Sequence, residues 1–313
     1  MENTPVILNN EMIASKCPVR PNSGHKGTFG KVLLYAGSVG MGGAAYMAAS
    51  SALRSGAGLV YILTERDLLV PLMTMCPEAL GIAIPDKAIA DPASKLVPLA
   101  ASGISDPSWF SEVLCDKDAC LVGPGVPPER KELAVNVVVA AKTAPHLVLD
   151  AGALSLLAKD EQVRNAVFSR ISLGLAPAVL TPHLGEFSRL LPGYQPGDMA
   201  SASAFAKENG VILVLKSNQT NIFTPDGKWY SNQEENSGLA KGGSGDVLAG
   251  LLTGLLAQGM TEEDAAVCAV RIHSLAGKLC SKEHGQRAML PTMLWQYFDE
   301  CFKLVKWEEG MQS

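Results

Sequence analysis

The run Asn236-Ser237-Gly238-Leu239-Ala240-Lys241-Gly242-Gly243-Ser244-Gly245-Asp246 holds the residue types best suited to chemistry in this chain, and an apolar helical pattern, V-L-A-G-L-L-T-G-L-L-A, follows it. The glycines at 242, 243 and 245 let the backbone take positive φ and come close to a ligand. Successive N–H groups in such a loop, together with the partial positive charge of a helix N-terminus, form an anion site: an anion hole over Gly242, Gly243, Ser244 and Gly245. That suits a phosphoryl group in transfer, because charge develops on it where water is excluded. Asp246 stands at the mouth. A carboxylate beside phosphate-binding amides is either a base that takes a proton from an attacking hydroxyl or a helix cap. The glycine density and the position after a sheet favour the base. No Gly-Lys-Ser/Thr follows, so this is not a Walker A loop. Nor does G-x-G-x-x-G open the first strand–helix turn, so it is not a dinucleotide fingerprint.

The elements that must position this loop alternate along the chain. Apolar runs predict strands at 31–36, 59–64, 119–122, 146–150, 178–181 and 211–216, with helical patterns at 42–53 and 129–142. The runs are continuous rather than alternating, so both faces are buried, and the expected fold is an α/β one with a parallel sheet covered by helices on both sides. Asn221–Thr224 and Lys228–Ser231 flank Pro225-Asp226-Gly227, which reads as a hairpin at an antiparallel edge. Helices are expected over 246–258, 262–281 and 291–304. No Pro/Gly/Ser-rich linker divides the chain, so one domain is expected over residues 21–313, after an irregular or loosely docked lead over 1–20. Ligands of open parallel sheets bind beyond the carboxyl ends of the strands. Polar residues and glycines cluster there: Gly37-Ser38, Gly123-Pro124-Gly125, Asp150, His183-Leu184-Gly185-Glu186 and Lys216. His273 falls on an amphipathic helical pattern and reads as a core or interface histidine.

The composition narrows the class. The chain has 313 residues, 47% hydrophobic and 18% charged, which excludes a disordered chain. Its net charge of -5 offers no basic surplus for nucleic acid or an anionic membrane. The longest small/apolar stretch, 247–257, is about half of what a membrane helix needs. Residues 1–20 lack the pattern of a signal peptide. Seven scattered cysteines without a C-x-x-C pair suggest reduced thiols in a cytoplasm. The five histidines show no H-x₃₋₅-H spacing for structural zinc.

The anion-hole segment resembles that of the ribokinase-like superfamily, whose members phosphorylate small hydroxyl substrates. The remaining motifs resemble one branch of it, the ADP/ATP-dependent NAD(P)H-hydrate dehydratases. They run in order: H-K-G-T-F-G-K-V from His25, G-S-V-G-M-G-G-A-A from Gly37, A-L-R-S-G-A-G-L-V from Ala52, P-E-A-L from Pro77 and G-P-G from Gly123. Then come L-D-A-G-A-L from Leu149, L-T-P-H-L-G-E-F from Leu180, L-K-S-N-Q-T from Leu215 and G-G-S-G-D-V-L-A-G from Gly242. The resemblance implies a ribokinase-like three-layer fold and a repair reaction. Hydrated NADH or NADPH (NADHX or NADPHX, the S epimer) is phosphorylated on its ring hydroxyl, and phosphate leaves to restore NAD(P)H. It implies ADP as phosphoryl donor, or ATP in its place, with Mg²⁺, and a homo-oligomer, commonly a tetramer. The length leaves no spare residues for the fused epimerase domain of some relatives.

Roles carry over residue by residue. Asp246 matches the catalytic aspartate, which contacts the substrate; Ala44, Gly125 and His183 match substrate-binding positions. Gly245 matches a glycine at the nucleotide phosphates, and Lys216, Ser217, Asn218, Gln219 and Thr220 match a K-G-x-x-T nucleotide segment. Glu186 orders a loop or a Mg²⁺-bound water, and Asp150 with Asn236 orients phosphates or metal. Three positions depart from the pattern: Ser217 replaces Gly, Leu184 replaces Pro, and Val126-Pro127 follow Gly125 where the family often has Leu-Gly. His25-Lys26-Gly27 is expected near the site by resemblance alone. Two rival readings remain: a ribokinase-like kinase of a small hydroxylated vitamin precursor, and a non-catalytic nucleotide-binding regulator. The T-P-H-x-G-E and G-A-G-L-V segments argue against the first, and the intact Asp246 and glycine loop against the second.

Overall fold

The computed structural model describes residues 4–85 and 108–307; residues 1–3, 86–107 and 308–313, part of the expected lead and domain, lie outside the described residues. Ten strands form one sheet: β1 (Val6–Ile7), β2 (Lys31–Tyr35), β3 (Leu59–Thr64), β4 (Leu80–Ala83), β5 (Ala119–Val122), β6 (His146–Leu149), β7 (Val179–Leu180), β8 (Ile212–Leu215), β9 (Asn221–Phe223) and β10 (Trp229–Ser231). Their order is β1-β10-β9-β8-β7-β6-β5-β2-β3-β4. All pairings are parallel except β8 with β9 and β9 with β10.

Pleating explains why the strands read as continuous apolar runs. Side chains alternate between faces, and here each face meets its own helical layer. Val32, Leu34, Leu121, Val148 and Val214 enter a core shared with the helices Gly42–Arg54, Ser244–Ala257 and Glu262–Ala288. Leu33, Tyr35, Val122, Leu149 and Leu215 enter a second core against the helices Lys131–Thr143, Gly152–Lys159, Glu161–Phe168 and Met199–Asn209. The result is the three-layer α/β arrangement.

The helix Ser244–Ala257 is buried along nearly its whole length, and small residues let it lie close to the helix Gly42–Arg54. A Cβ at Gly250 would come within 2.2 Å of the Ala48 carbonyl oxygen, so no other residue fits there without moving one helix. Ser51 Oγ donates to the Val247 carbonyl at 2.6 Å across the same contact. This contact fixes where the N-terminus of the helix emerges.

Three sequence expectations change. Within the lead, residues 6–14 are ordered and docked rather than irregular: β1 pairs in parallel with β10, Asn9 caps a helix at Asn10–Ala14, and Ile13 is fully buried with its carbonyl held by Trp307. A two-residue strand and a five-residue helix are too short for periodicity to show. Because β1 adds to it, the β9–β10 hairpin is not the sheet edge. The helix expected over 291–304 is broken into Pro291–Leu294, a 3₁₀ turn at Trp295–Tyr297, and Phe298–Leu304. The helix Arg66–Met75 runs through Pro71.

Candidate functional site

Gly243 takes φ 102° and serves as N-cap of the helix Ser244–Ala257. Only glycine adopts that conformation at little cost. Among the described residues, the amides of Gly242, Gly243, Gly245 and Asp246 find no acceptor, while Ser244 N–H donates to Lys241 O and Val247 N–H to Gly243 O. Free N–H groups at a helix N-terminus are what an anion hole requires; the Ser244 amide, expected among them, is instead taken by the Lys241 carbonyl in the turn that starts the helix, and the Asp246 amide stands free in its place. Asp246, at the third helical position, is not the cap; nothing among the described residues donates to its carboxylate.

Strand ends bring the charged residues to this loop. Asp150 follows β6, Lys216 follows β8, and His183 lies beside Lys216, with Lys216 N–H donating to Pro182 O at 2.8 Å. Lys216 Nζ lies 2.9 Å from Oδ1 of the buried Asp150. A Cβ at Gly245 would sit 3.0 Å from that Nζ, which places the ammonium directly at the anion loop. Burial works against the Lys216 charge, but Asp150, Glu186 and Asp246 outweigh it and hold its pKa above the ordinary lysine value. Asp246 moves the other way. Burial first, then the carboxylates of Asp150 and Glu186, push it up to about 7, against the pull of Lys216. A carboxylate with that pKa is matched to accept a proton at neutral pH.

His183 caps the helix Leu184–Leu190 in a reciprocal box: its Nδ1 accepts from Gly185 N–H (3.0 Å) and Glu186 N–H (3.3 Å), while His183 N–H donates to Glu186 Oε2 (2.9 Å). With Nδ1 occupied as acceptor, the neutral ring carries its proton on Nε2. Nε2 lies 3.5 Å from Glu186 Oε2 on a side chain that is otherwise exposed, so a ligand can reach it as well. Leu184 begins this helix without loss, since the first turn tolerates leucine as well as proline. Ala44 and Gly125 come together: a Cβ at Gly125 would lie 2.9 Å from Ala44 Cβ and 2.8 Å from the Met41 carbonyl. Ser38 Oγ donates to Gly125 O at 2.7 Å and joins the two loops. Val126 packs in the core, and Pro127 O accepts from Arg130 N–H to begin the turn into the next helix.

The segment after Lys216 forms a compact loop. Ser217 keeps a negative φ, so the missing glycine costs nothing, and its Oγ donates to Gln219 O at 2.7 Å. Asn218 Nδ2 and Gln219 Nε2 both donate to Glu235 Oε1, at 2.9 and 3.0 Å. Thr220 O receives Asn232 N–H. Asn236 Oδ1 holds Gly238 N–H, whereas its buried Nδ2 has no partner.

Residues 25–27 are not brought to this site. Lys26 O packs against Gly58, and the adjoining Gly30 packs against Ala257, the far end of the helix that begins at Ser244. That end is about 16 Å from Asp246 at 1.5 Å per residue. Sequence reasoning also missed Glu65 and Arg130. Glu65 Oε2 accepts from Val39 N–H at 2.8 Å, and Arg130 Nη2 lies 2.7 Å from Glu65 Oε1, so the pair ties the loop after β2 to the loop after β5. Contacts between distant strand ends leave no mark in local spacing.

No three acidic, histidine or cysteine side chains among the described residues come close enough to hold a metal ion by themselves. Lys216 occupies the space between the carboxylates. Glu186 and Asp150 are therefore suited to a cation only through water, beside phosphate oxygens that supply the remaining ligands.

A mainly parallel sheet with helices on both faces, an antiparallel pair at one side and a glycine-rich helix N-terminus at the strand ends defines a ribokinase-like α/β protein. Residues 32–299 match the family model described as NAD(P)H-hydrate dehydratase, and the chain belongs to that family. It is 36% identical over 294 residues to a bifunctional NAD(P)H-hydrate repair enzyme of Moorella thermoacetica, covering 91% of this chain but 51% of that one. The chain thus spans about half the length of that relative. It is 32% identical over 285 residues to the ADP-dependent (S)-NAD(P)H-hydrate dehydratase of Bacillus subtilis, covering 90% and 91% of the two chains. A crystal structure of the ADP/ATP-dependent NAD(P)H-hydrate dehydratase from B. subtilis, co-crystallised with ATP/Mg²⁺, superposes with a TM-score of 0.76 at 28% identity, covering 97% of this chain and 100% of that one.

Proposed function

We propose that this protein dehydrates the S epimer of NADHX and NADPHX to NADH and NADPH at the expense of ADP, releasing AMP and phosphate. The observation that carries the proposal is the Asp246 carboxylate, with a pKa of about 7 and no protein donor, beside four free amides at a helix N-terminus. The terminal phosphoryl group lies on the free amides of Gly242, Gly243, Gly245 and Asp246 and on Lys216. Asp246 takes the proton as the ring hydroxyl oxygen attacks phosphorus, and the P–O bond to AMP breaks. The resulting ester then loses phosphate with the C–O bonding pair, while a proton leaves the adjacent ring carbon to restore the reduced nicotinamide. His183 Nε2–H donates to the substrate, which rests on the Ala44 and Gly125 surfaces. Lys216, Ser217, Asn218, Gln219 and Thr220, with Gly245, hold the nucleotide. Glu186 and Asp150 would hold Mg²⁺ through water beside the phosphates, where the ion would neutralise phosphate charge.

Family membership and the coverage of a stand-alone dehydratase support this reading over a vitamin-precursor kinase or a regulator. The same reading expects a cytoplasmic homotetramer. The test is a coupled assay on hydrated NADPH with ADP or ATP, following the reduced nicotinamide band and phosphate release together. Recovery of the band that needs nucleotide and falls about 10²–10⁴-fold in Asp246→Asn is the expected result. A stable phosphorylated product without phosphate release overturns it in favour of a kinase.

A further inference from the structure

His273 is buried in the helix Glu262–Ala288, yet it does not merely fill the core. Its Nε2 lies 3.1 Å from the carbonyl oxygen of Ser244 and 3.3 Å from Ser244 Oγ. A carbonyl can only accept, so Nε2 carries the hydrogen and the ring is the donor. Burial, with Lys216 nearby, pushes the ring pKa down to about 4 in spite of the Ser244 bond, which keeps it a neutral donor at working pH.

The peptide joining Ser244 to Gly245 is trans and planar, so its C=O and N–H point in opposite directions. A hydrogen bond that fixes the Ser244 carbonyl therefore fixes the aim of the Gly245 N–H, one of the four free amides of the loop. This peptide lies in the first turn of the helix Ser244–Ala257, where Gly245, having no Cβ, restrains its rotation least. The geometry points to His273 as a positioning residue of the anion hole, which aims the Gly245 N–H at the terminal phosphoryl group of a nucleoside diphosphate. This rests on the reading of the loop given above. His273 touches no reacting atom; it acts through Ser244.

Two variants separate aim from packing. His273→Gln keeps an N–H donor at the place of Nε2, and His273→Leu keeps apolar volume without a donor. In Leu, turnover should fall about 10- to 100-fold with the KM for the hydrated cofactor unchanged. Calorimetry should show ADP binding weakened in Leu while AMP, which lacks the terminal phosphoryl group, binds as to the wild type. Gln should restore most of both losses. Full activity in Leu overturns the assignment. So does equal loss of ADP and AMP affinity with Gln no better than Leu, since that marks a packing role. If the wild type gives no turnover, the dehydratase reading fails, and the ADP-against-AMP comparison still decides the role of His273. Wild-type protein that binds ADP no more tightly than AMP overturns both.

Discussion

The Lys216 ammonium and the Asp150 carboxylate, 2.9 Å apart, join the ends of two strands that have β7 between them. Around this pair Asp246 and Glu186 add two further carboxylates, so one cation serves three anions. The pair thereby sets the proton affinity of the residue proposed to do the chemistry.

Lys216→Met should raise the pH at which Asp246 becomes an effective base. The Asp246 pKa of about 7 is reached with Lys216 in place, and Lys216 is the one influence that lowers it; burial, Asp150 and Glu186 all raise it. The acid limb of the kcat profile should move to higher pH, and the KM for ADP should rise. The variant also leaves Asp150 buried without its partner, at about 3–5 kcal/mol. Lys216→Arg keeps the charge, so its acid limb should stay near that of the wild type. An unmoved limb in Met would show that Asp246 is not the base.

Asp246 and His273 should give the fold opposite dependences on pH. Asp246 is raised from 3.8 to about 7, so the native state holds a proton that the unfolded chain has lost. Its contribution is complete below about pH 3.8 and disappears as pH rises through 7. His273 is lowered from 6.5 to about 4, so its contribution is complete above pH 6.5 and is lost as pH falls towards 4. Asp246→Asn should therefore be more thermostable than the wild type at pH 8, by about 2–4 °C. His273→Gln should lose less stability than the wild type between pH 6.5 and 4. Thermal melts at these pH values check both slopes.

Arg170→Met should destabilise the protein without touching the site. The guanidinium of Arg170 is wholly buried and donates to the carbonyls of Ala140, Ala141, Ala144, Pro145 and Ala176 at 2.8–3.3 Å. It closes the C-terminus of the helix Lys131–Thr143, whose last carbonyls have no partner within the helix. Burial lowers its pKa to about 10, which leaves it charged at neutral pH. Removing it strands several carbonyls, at a cost of about 3 kcal/mol or more. Urea unfolding should show a lower midpoint, with kcat per folded molecule unchanged.

The local pattern determined much of this protein. Buried strands declare themselves because both faces are apolar, and β3 and β5 span the residues their apolar runs predict. The glycine loop at 242–245 is legible because only glycine tolerates φ 102° at Gly243 and because an apolar helix must follow it. Short elements such as β1 were not legible, since two residues carry no period. Tertiary structure alone decided which strand ends meet. It set Lys216 on Asp150, bound Asn218 and Gln219 to Glu235, and turned His273 from a core residue into the partner of Ser244. It also moved His25-Lys26-Gly27 to the end of the sheet away from Asp246. Such contacts depend on the order and twist of the whole sheet, which arise only when both helical layers pack. The pKa of Asp246 follows from that packing, because burial and two neighbouring carboxylates raise it and neither is written in the residues beside it.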